Sequence, residues 1–258
     1  MVLRRMDDHF SEIAELYSKL RITDEEPILK IKEVLDSTNI MGADVGCGDG
    51  RYDLKLFHHL SDFIDLCCID CNEKMLKTLE DHLIQKNIKN FQIRKGFAEN
   101  LPLEYNSMDC LFTFNALHHF DALRFLKSAS YALKDNGYLF IYTRLKSQND
   151  KNIWGRYFPH FNEKETRLFE LEELKNIVKE ISDLKIQSID FFKYKRVFNL
   201  YELIYKARNH HYSTFDLYTK SELEEAVEEF KQKIQQNFAN PERISWFDEN
   251  IMLTLIKR

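Results

Sequence analysis

Four of the chain's seven glycines, Gly42, Gly46, Gly48 and Gly50, fall within one stretch, Asn39 to Tyr52, which reads NIMGADVGCGDGRY. A short apolar run, Ile40 to Val45, stops at Gly46-Cys47-Gly48-Asp49-Gly50, and a helical pattern begins directly after it. A strand, a tight glycine turn and a helix start form the arrangement by which an open α/β sheet brings backbone close to a ligand.

The spacing narrows the ligand. A dinucleotide fingerprint reads G-x-G-x-x-G, and here the third glycine comes one residue early, while the G-K-[ST] of a P-loop is absent. A turn of this spacing suits a ligand without phosphates that still needs close backbone approach. The acidic residue that would meet ribose hydroxyls is expected about 20 residues further on, and Asp70 stands there, at the end of the apolar run Phe63 to Ile69.

The rest of the chain alternates in the same way. Asp7 to Leu20 places Phe10, Ile13, Ala14 and Tyr17 on one helical face, and a second helix follows with Ile28, Ile31, Val34 and Leu35, opened by a Thr23/Glu26 capping box. Beyond the glycine turn, helical faces (Tyr52, Leu56, Phe57, Leu60; then Met75, Leu76, Leu79, Leu83) separate the strands Phe63 to Ile69 and Phe91 to Lys95. Met108 to Phe114 is a nearly continuous apolar run, which suits a strand buried on both faces. A helix near Asp121 to Leu133 and a strand Tyr138 to Tyr142, entered through Asp135-Asn136-Gly137, complete five strands in a parallel, doubly wound order.

Past Arg144 the rhythm changes. Ser147 to Glu165 reads as a polar, aromatic loop, Leu171 to Ile181 as a helix, and Lys185 to Val197 as a sixth strand. Helices near Phe198 to Arg208 and Ser221 to Phe238, the second opened by a Thr219/Glu222 capping box, precede a final strand, Arg243 to Lys257. The expectation is one α/β domain: a doubly wound, mostly parallel seven-stranded sheet flanked by helices, its last strand antiparallel. N-terminal helices (1–38) precede a cofactor-binding core (39–144), and 145–258 supplies a substrate-side loop, a helical insertion and the final strands.

Composition sets the limits. A hydrophobic content of 44% supports a buried core, and a net charge of −5 without a dense Lys/Arg block argues against a nucleic-acid partner. The chain has neither an apolar run long enough to span a membrane nor a signal-peptide pattern, so the expectation is a soluble, cytoplasmic protein with no membrane partner. Five cysteines, an odd number, read as reduced thiols. Cys67, Cys68 and Cys71 include a C-x-x-C, but no second ligand pair completes a zinc site, so no metal is expected.

These motifs together resemble the class I S-adenosylmethionine-dependent methyltransferases. Ala43 to Gly50 looks like that family's first motif and Ile69 to Leu76 like its second; Gly96 to Pro102 and then Asp109 to Phe120 are similar to the third and fourth. The resemblance implies S-adenosylmethionine as cofactor. Gly46, Cys47, Gly48 and Gly50 would bring backbone to its methionine part, with Asp44 holding the turn. Asp70 would accept from both ribose hydroxyls, and Cys71, Asn72 and Met75 would line the adenosine pocket. Phe97, Ala98 and Glu99 would lie by the adenine, Phe97 standing where many members have Asp. The Asn115 backbone would meet the methionine ammonium group, and Tyr17 and Arg21, in F-x-x-x-A-x-x-Y-x-x-x-R, resemble residues that reach over the methionine carboxylate.

Methyl transfer from a sulfonium needs an in-line nucleophile and exclusion of water, and some acceptors also need a base. His118 and His119, directly after the fourth strand, are the candidate bases. Tyr157, His160, Tyr205, His211 and Tyr212 are the candidate substrate-side residues, and their aromatic character points to a small organic methyl acceptor in an enclosed pocket. The Asn/Asp-Pro-Pro-Tyr/Phe signature of planar amino-nitrogen methylation is absent, with Asn115-Ala116-Leu117-His118 in its place. Methylation of RNA or protein, or cofactor binding without turnover, are the alternatives.

Overall fold

A computed structural model describes residues 21–35, 39–60 and 63–258. The helix expected over Asp7 to Leu20, and Tyr17 with it, lie outside the described residues. The first described helix, α1, is Glu26–Val34, and its expected capping box does not form. The N-cap is Glu25, with no side-chain cap bond, and Pro27 lies in the first turn, where its fixed φ and missing N–H set the start without a cap.

Strands and helices then alternate: β1 (Ile40–Val45), α2 (Arg51–Leu60), β2 (Ile64–Asp70), α3 (Glu73–Gln85), β3 (Phe91–Lys95), β4 (Met108–Phe114), α4 (Ala122–Ala132) and β5 (Leu133–Thr143). β1, β3 and β4 have the bounds their apolar runs predicted. β5 begins earlier than expected, because the Asp135-Asn136-Gly137 bend is drawn into the strand, with Asn136 at φ 63°.

The segment read as a loop after Arg144 is built instead from three short helical turns, Lys146–Asn149, Ile153–Tyr157 and Phe161–Lys164. Asn152 caps the middle one, its side chain accepting from the N–H groups of Trp154 and Gly155. There follow α5 (Leu171–Lys179), β6 (Leu184–Phe198), α6 (Leu200–Arg208), α7 (Lys220–Asn237) and β7 (Ile244–Lys257). The Thr219/Glu222 capping box on α7 forms as expected, each residue's side chain accepting from the other's backbone N–H.

The seven strands make one sheet in the order β3-β2-β1-β4-β5-β7-β6. β1 to β5 pair in parallel, and β7 runs antiparallel to both β5 and β6. Apolar side chains fill both faces. Leu126 and Ala129 of α4 and Leu174 of α5 pack on one face with Val45 and Leu111, while Ile31, Leu56 and Leu79 of α1 to α3 pack on the other with Cys68 and Phe112. A third cluster lies under the insertion, where Trp154 stacks on Phe230 at 5.3 Å and meets Phe215 edge-on at the same distance. Strand order reverses between β1 and β4, and in such sheets the carboxyl ends at the reversal open a crevice to ligands.

Candidate functional site

The glycine turn sits at that crevice. Gly46 and Gly48 take φ of 74° and 57°, the left-handed region that side chains avoid. Their surroundings differ. A Cβ on Gly46 would come within 2.7 Å of the Ala116 Cβ and 2.8 Å of the Phe120 ring, and one on Gly50 within 2.6 Å of Leu79, whereas one on Gly48 would meet nothing within 4 Å. Gly46 and Gly50 therefore let the protein close on itself, and Gly48 alone faces open space. Gly46→Ala is expected to lower stability by about 1–3 kcal/mol through overpacking and a strained φ. Gly48→Ala should cost only the backbone term, about 1–2 kcal/mol. Thermal unfolding that ranks the two variants in the opposite order would refute this division.

Asp70, half-buried at the end of β2, holds the turn from the side. Its Oδ2 accepts from the Gly48 N–H and its Oδ1 from the Asn72 N–H, both at 2.9 Å. Beneath the turn, buried Asp44 on β1 hydrogen-bonds the buried Asp53 on α2, and the Cys68 thiol donates to Asp53 at 3.7 Å. Burial, then the Asp53 charge, holds Asp44 well above the usual carboxylate range, and burial pushes Asp53 up to about 7. Two carboxyls so placed share a proton near neutral pH.

Other residues of the second and third motifs are occupied by the fold. Asn72 is the N-cap of α3, its buried side chain accepting from the N–H groups of Lys74 and Met75 at 3.0 Å each. Met75, Cys47 and Ala98 are core residues, and Cys71 is half-buried. Glu99 accepts from the Asp121 N–H at 2.8 Å, so its carboxylate secures the start of α4. Phe97 is 62% exposed beside this loop.

Next to the turn lies a cavity enclosing about 970 Å³ of atom-free space, part of it open to solvent. Arg51 and Tyr52 after the glycine turn, Asn115 and His118 after β4, and Arg144 after β5 line one side. Asn115 holds φ 53°, and its Oδ1 accepts from the Asn250 amide at 3.0 Å. Burial, then Arg167, Arg21 and Arg144, hold His118 well below the ordinary imidazole value; its Nδ1 is buried with no hydrogen-bond partner among the described residues. His119 does not line the cavity, and its ring packs against His118 with centroids 4.0 Å apart.

Of the five expected substrate-side residues, the structure brings His211 and Tyr212 to the cavity. Tyr157, His160 and Tyr205 do not line it. Tyr157 turns to Phe238 in the third core cluster, with ring centroids 5.5 Å apart. His160 is exposed at φ 60°, where it starts a helical turn, and Tyr205 lies on the outer side of α6, opposite the buried Leu203 and Ala207.

The far wall is unforeseen. Trp246, Asp248 and Asn250 occupy alternate positions of β7, so the strand's period of two sends all three to one face, into the cavity. Arg196 of β6, in register with Trp246, bonds Asp24 at 2.7 Å and Asp248 at 3.2 Å. Asp248 also lies 3.5 Å from Arg144, whose Nη1 donates to the Tyr212 hydroxyl at 3.2 Å. The signal in the sequence was weak: Asp248-Glu249-Asn250 puts three consecutive polar residues into an otherwise apolar strand, and only the strand's period says which of them share a face.

Residues 43–141 match a family model described as a methyltransferase domain. The uncharacterised methyltransferase YcgJ of Bacillus subtilis is 27% identical over 131 residues, 50% of this chain and 51% of that protein. The chain thus spans about half the length of that curated relative. The crystal structure of YcgJ has a TM-score of 0.68 at 17% identity, covering 91% of this chain and 99% of the other. A SAM-dependent methyltransferase from Aquifex aeolicus has a TM-score of 0.56 at 22% identity, covering 74% and 92%. Both structural likenesses are likenesses of fold. Among the described residues, no group of His, Cys, Asp and Glu has the arrangement of a metal site, and no helix is long and apolar enough to cross a membrane. The motif residues and strand order agree with these matches, and the sheet has the fold of the class I S-adenosylmethionine-dependent methyltransferases.

Proposed function

We propose that the protein transfers a methyl group from S-adenosylmethionine to an O, N or C nucleophile of a small organic molecule. The observation that carries this reading is the shared cavity: the start of α2, the segments following β4 and β5, and the aromatic wall of the insertion enclose the same space. The enclosure also supports a small acceptor over an RNA or protein surface.

The residues fit the cofactor. Gly48 opens its backbone to space, and Asp70, bonded to the Gly48 N–H, stands beside it with a carboxylate, the group that suits ribose hydroxyls. Phe97, exposed at the adenine end, can cover an apolar ring face. When bound, the cofactor supplies an electrophilic methyl on a sulfonium.

The chain's own groups would then do three things. The walls orient the nucleophile in line with the methyl, Trp154, Phe161 and Tyr212 exclude water, and the His118 ring takes the proton that leaves the nucleophile. Incubating the protein with S-adenosylmethionine and fractionated small-molecule extracts should release S-adenosylhomocysteine in proportion to one fraction. Binding without acceptor-dependent release in any fraction would favour a cofactor-binding protein without turnover.

A further inference from the structure

Resting on that cofactor reading, we propose that the buried Asp44 and Asp53 carboxyls are a proton-linked element beneath the glycine turn: they hold a proton while the site is empty and release one to solvent when the cationic cofactor binds. The observation behind this is a shortage of donors. Asp44 and Asp53 are 1% and 0% exposed and hydrogen-bond one another, yet Asp44 Oδ1 and Asp53 Oδ2 have no donor from any other group among the described residues. Ionised carboxylates only accept, so a bond between the two exists only while one of them carries the proton.

The surroundings supply little that could replace that proton. Asp44 sits in register with Cys68 of β2 on one side and Phe112 of β4 on the other. The Cys68 thiol, a weak donor, reaches Asp53 Oδ1 at 3.7 Å, and Cys47 on the turn and Leu76 and Leu79 of α3 belong to the same core cluster. Asp70 adds negative charge at Asp44 and Asp49 does so at Asp53, while Arg51 opposes it at Asp44 more weakly. His82 of α3 meets the Asp49 carbonyl at 3.1 Å. Two negative charges in so dry a setting are unfavourable, and the proton stays in place until a cation approaches.

S-adenosylmethionine carries a sulfonium and an ammonium group, and Gly46, the first glycine of the turn, stands two residues beyond Asp44. Positive charge beside a low-dielectric pair favours its ionised form. The O–H bond of the pair then breaks, its electrons stay on the carboxylate, and the buffer takes the proton. Cation and proton therefore compete, so affinity for S-adenosylmethionine falls as pH falls. S-adenosylhomocysteine lacks the sulfonium charge and should compete less.

Calorimetry of S-adenosylmethionine near neutral pH, in phosphate and again in imidazole, counts the protons released, because the two buffers differ in their heat of ionisation. The expected result is about half a proton or more per cofactor bound, and clearly fewer for S-adenosylhomocysteine. Affinity for S-adenosylmethionine should fall roughly three- to tenfold between about pH 7.5 and about pH 6. In Asp53→Asn the amide donates to Asp44 without a titrating proton, so the cofactor should still bind while the release and the pH dependence shrink towards zero. Infrared spectroscopy reads the same proton in the wild type: a protonated-carboxyl band should lose intensity when S-adenosylmethionine is added.

Binding heat that is the same in both buffers, a release that Asp53→Asn retains in full, or a carboxyl band that does not change would each overturn the proposal and leave the cofactor in its site. No binding heat for S-adenosylmethionine in the wild type would overturn the cofactor assignment and, with it, the linkage.

Discussion

Replacing Asp70 with alanine is expected to reduce S-adenosylmethionine affinity by roughly 10²–10³-fold, the equivalent of one or two lost hydrogen bonds to a charged group. The carboxylate has two tasks that fail together. In the proposed site it would accept from the ribose hydroxyls, and it fixes the turn by accepting from the Gly48 and Asn72 N–H groups. Asp70→Asn separates the tasks: one amide oxygen can still accept from one of those N–H groups, while the NH₂ opposes the other and cannot accept from a hydroxyl. Calorimetry should therefore rank wild type above Asp70→Asn and Asp70→Asn above Asp70→Ala, with the alanine variant still folded at room temperature. Equal affinity in all three would remove Asp70 from the cofactor site.

The glycine-turn half of the molecule was legible because its information is local. The β1 run ends at residues that only a turn accepts, and Asp70 lies at a fixed distance along the chain from that turn. Local reading did not show the structural partner where one residue type serves two roles. Asn72, expected in the adenosine pocket, is the cap of α3, and Glu99, expected beside the adenine, ties down the Asp121 N–H. Both roles use the same polar atoms, and sequence does not reveal which partner is closer.

The far wall of the cavity was less legible because it is assembled at long range. Arg196 meets Asp248 only through the antiparallel register that sets Arg196 opposite Trp246, and a one-residue slip would turn both side chains away. Tyr157 and Tyr205 failed for a related reason: on a short helix one face is buried and the other is not, and aromatic character alone does not say which. Trp154 was within the aromatic stretch already singled out, but its burial at the cavity edge depends on packing against Phe215 and Phe230, more than fifty residues away in sequence.

For an acceptor that must lose a proton, His118→Asn is expected to lower kcat by about 10²–10⁴-fold at neutral pH with little change in cofactor affinity. The pH profile tests the role more sharply than the rate. An ordinary imidazole base would lose half its activity as pH falls to about 6.5. His118 is held well below that value by burial and by the Arg167, Arg21 and Arg144 charges, so protonation comes later on acidification. Wild-type kcat should accordingly stay flat from pH 8 down through 6.5, whereas the variant's residual rate should climb with pH as the acceptor supplies its own ionised form. His119→Gln, altering a ring that supports His118 without lining the cavity, should cost far less. A variant that matches wild type in both kcat and pH profile would leave His118 as part of the wall and assign the proton to the acceptor's own chemistry.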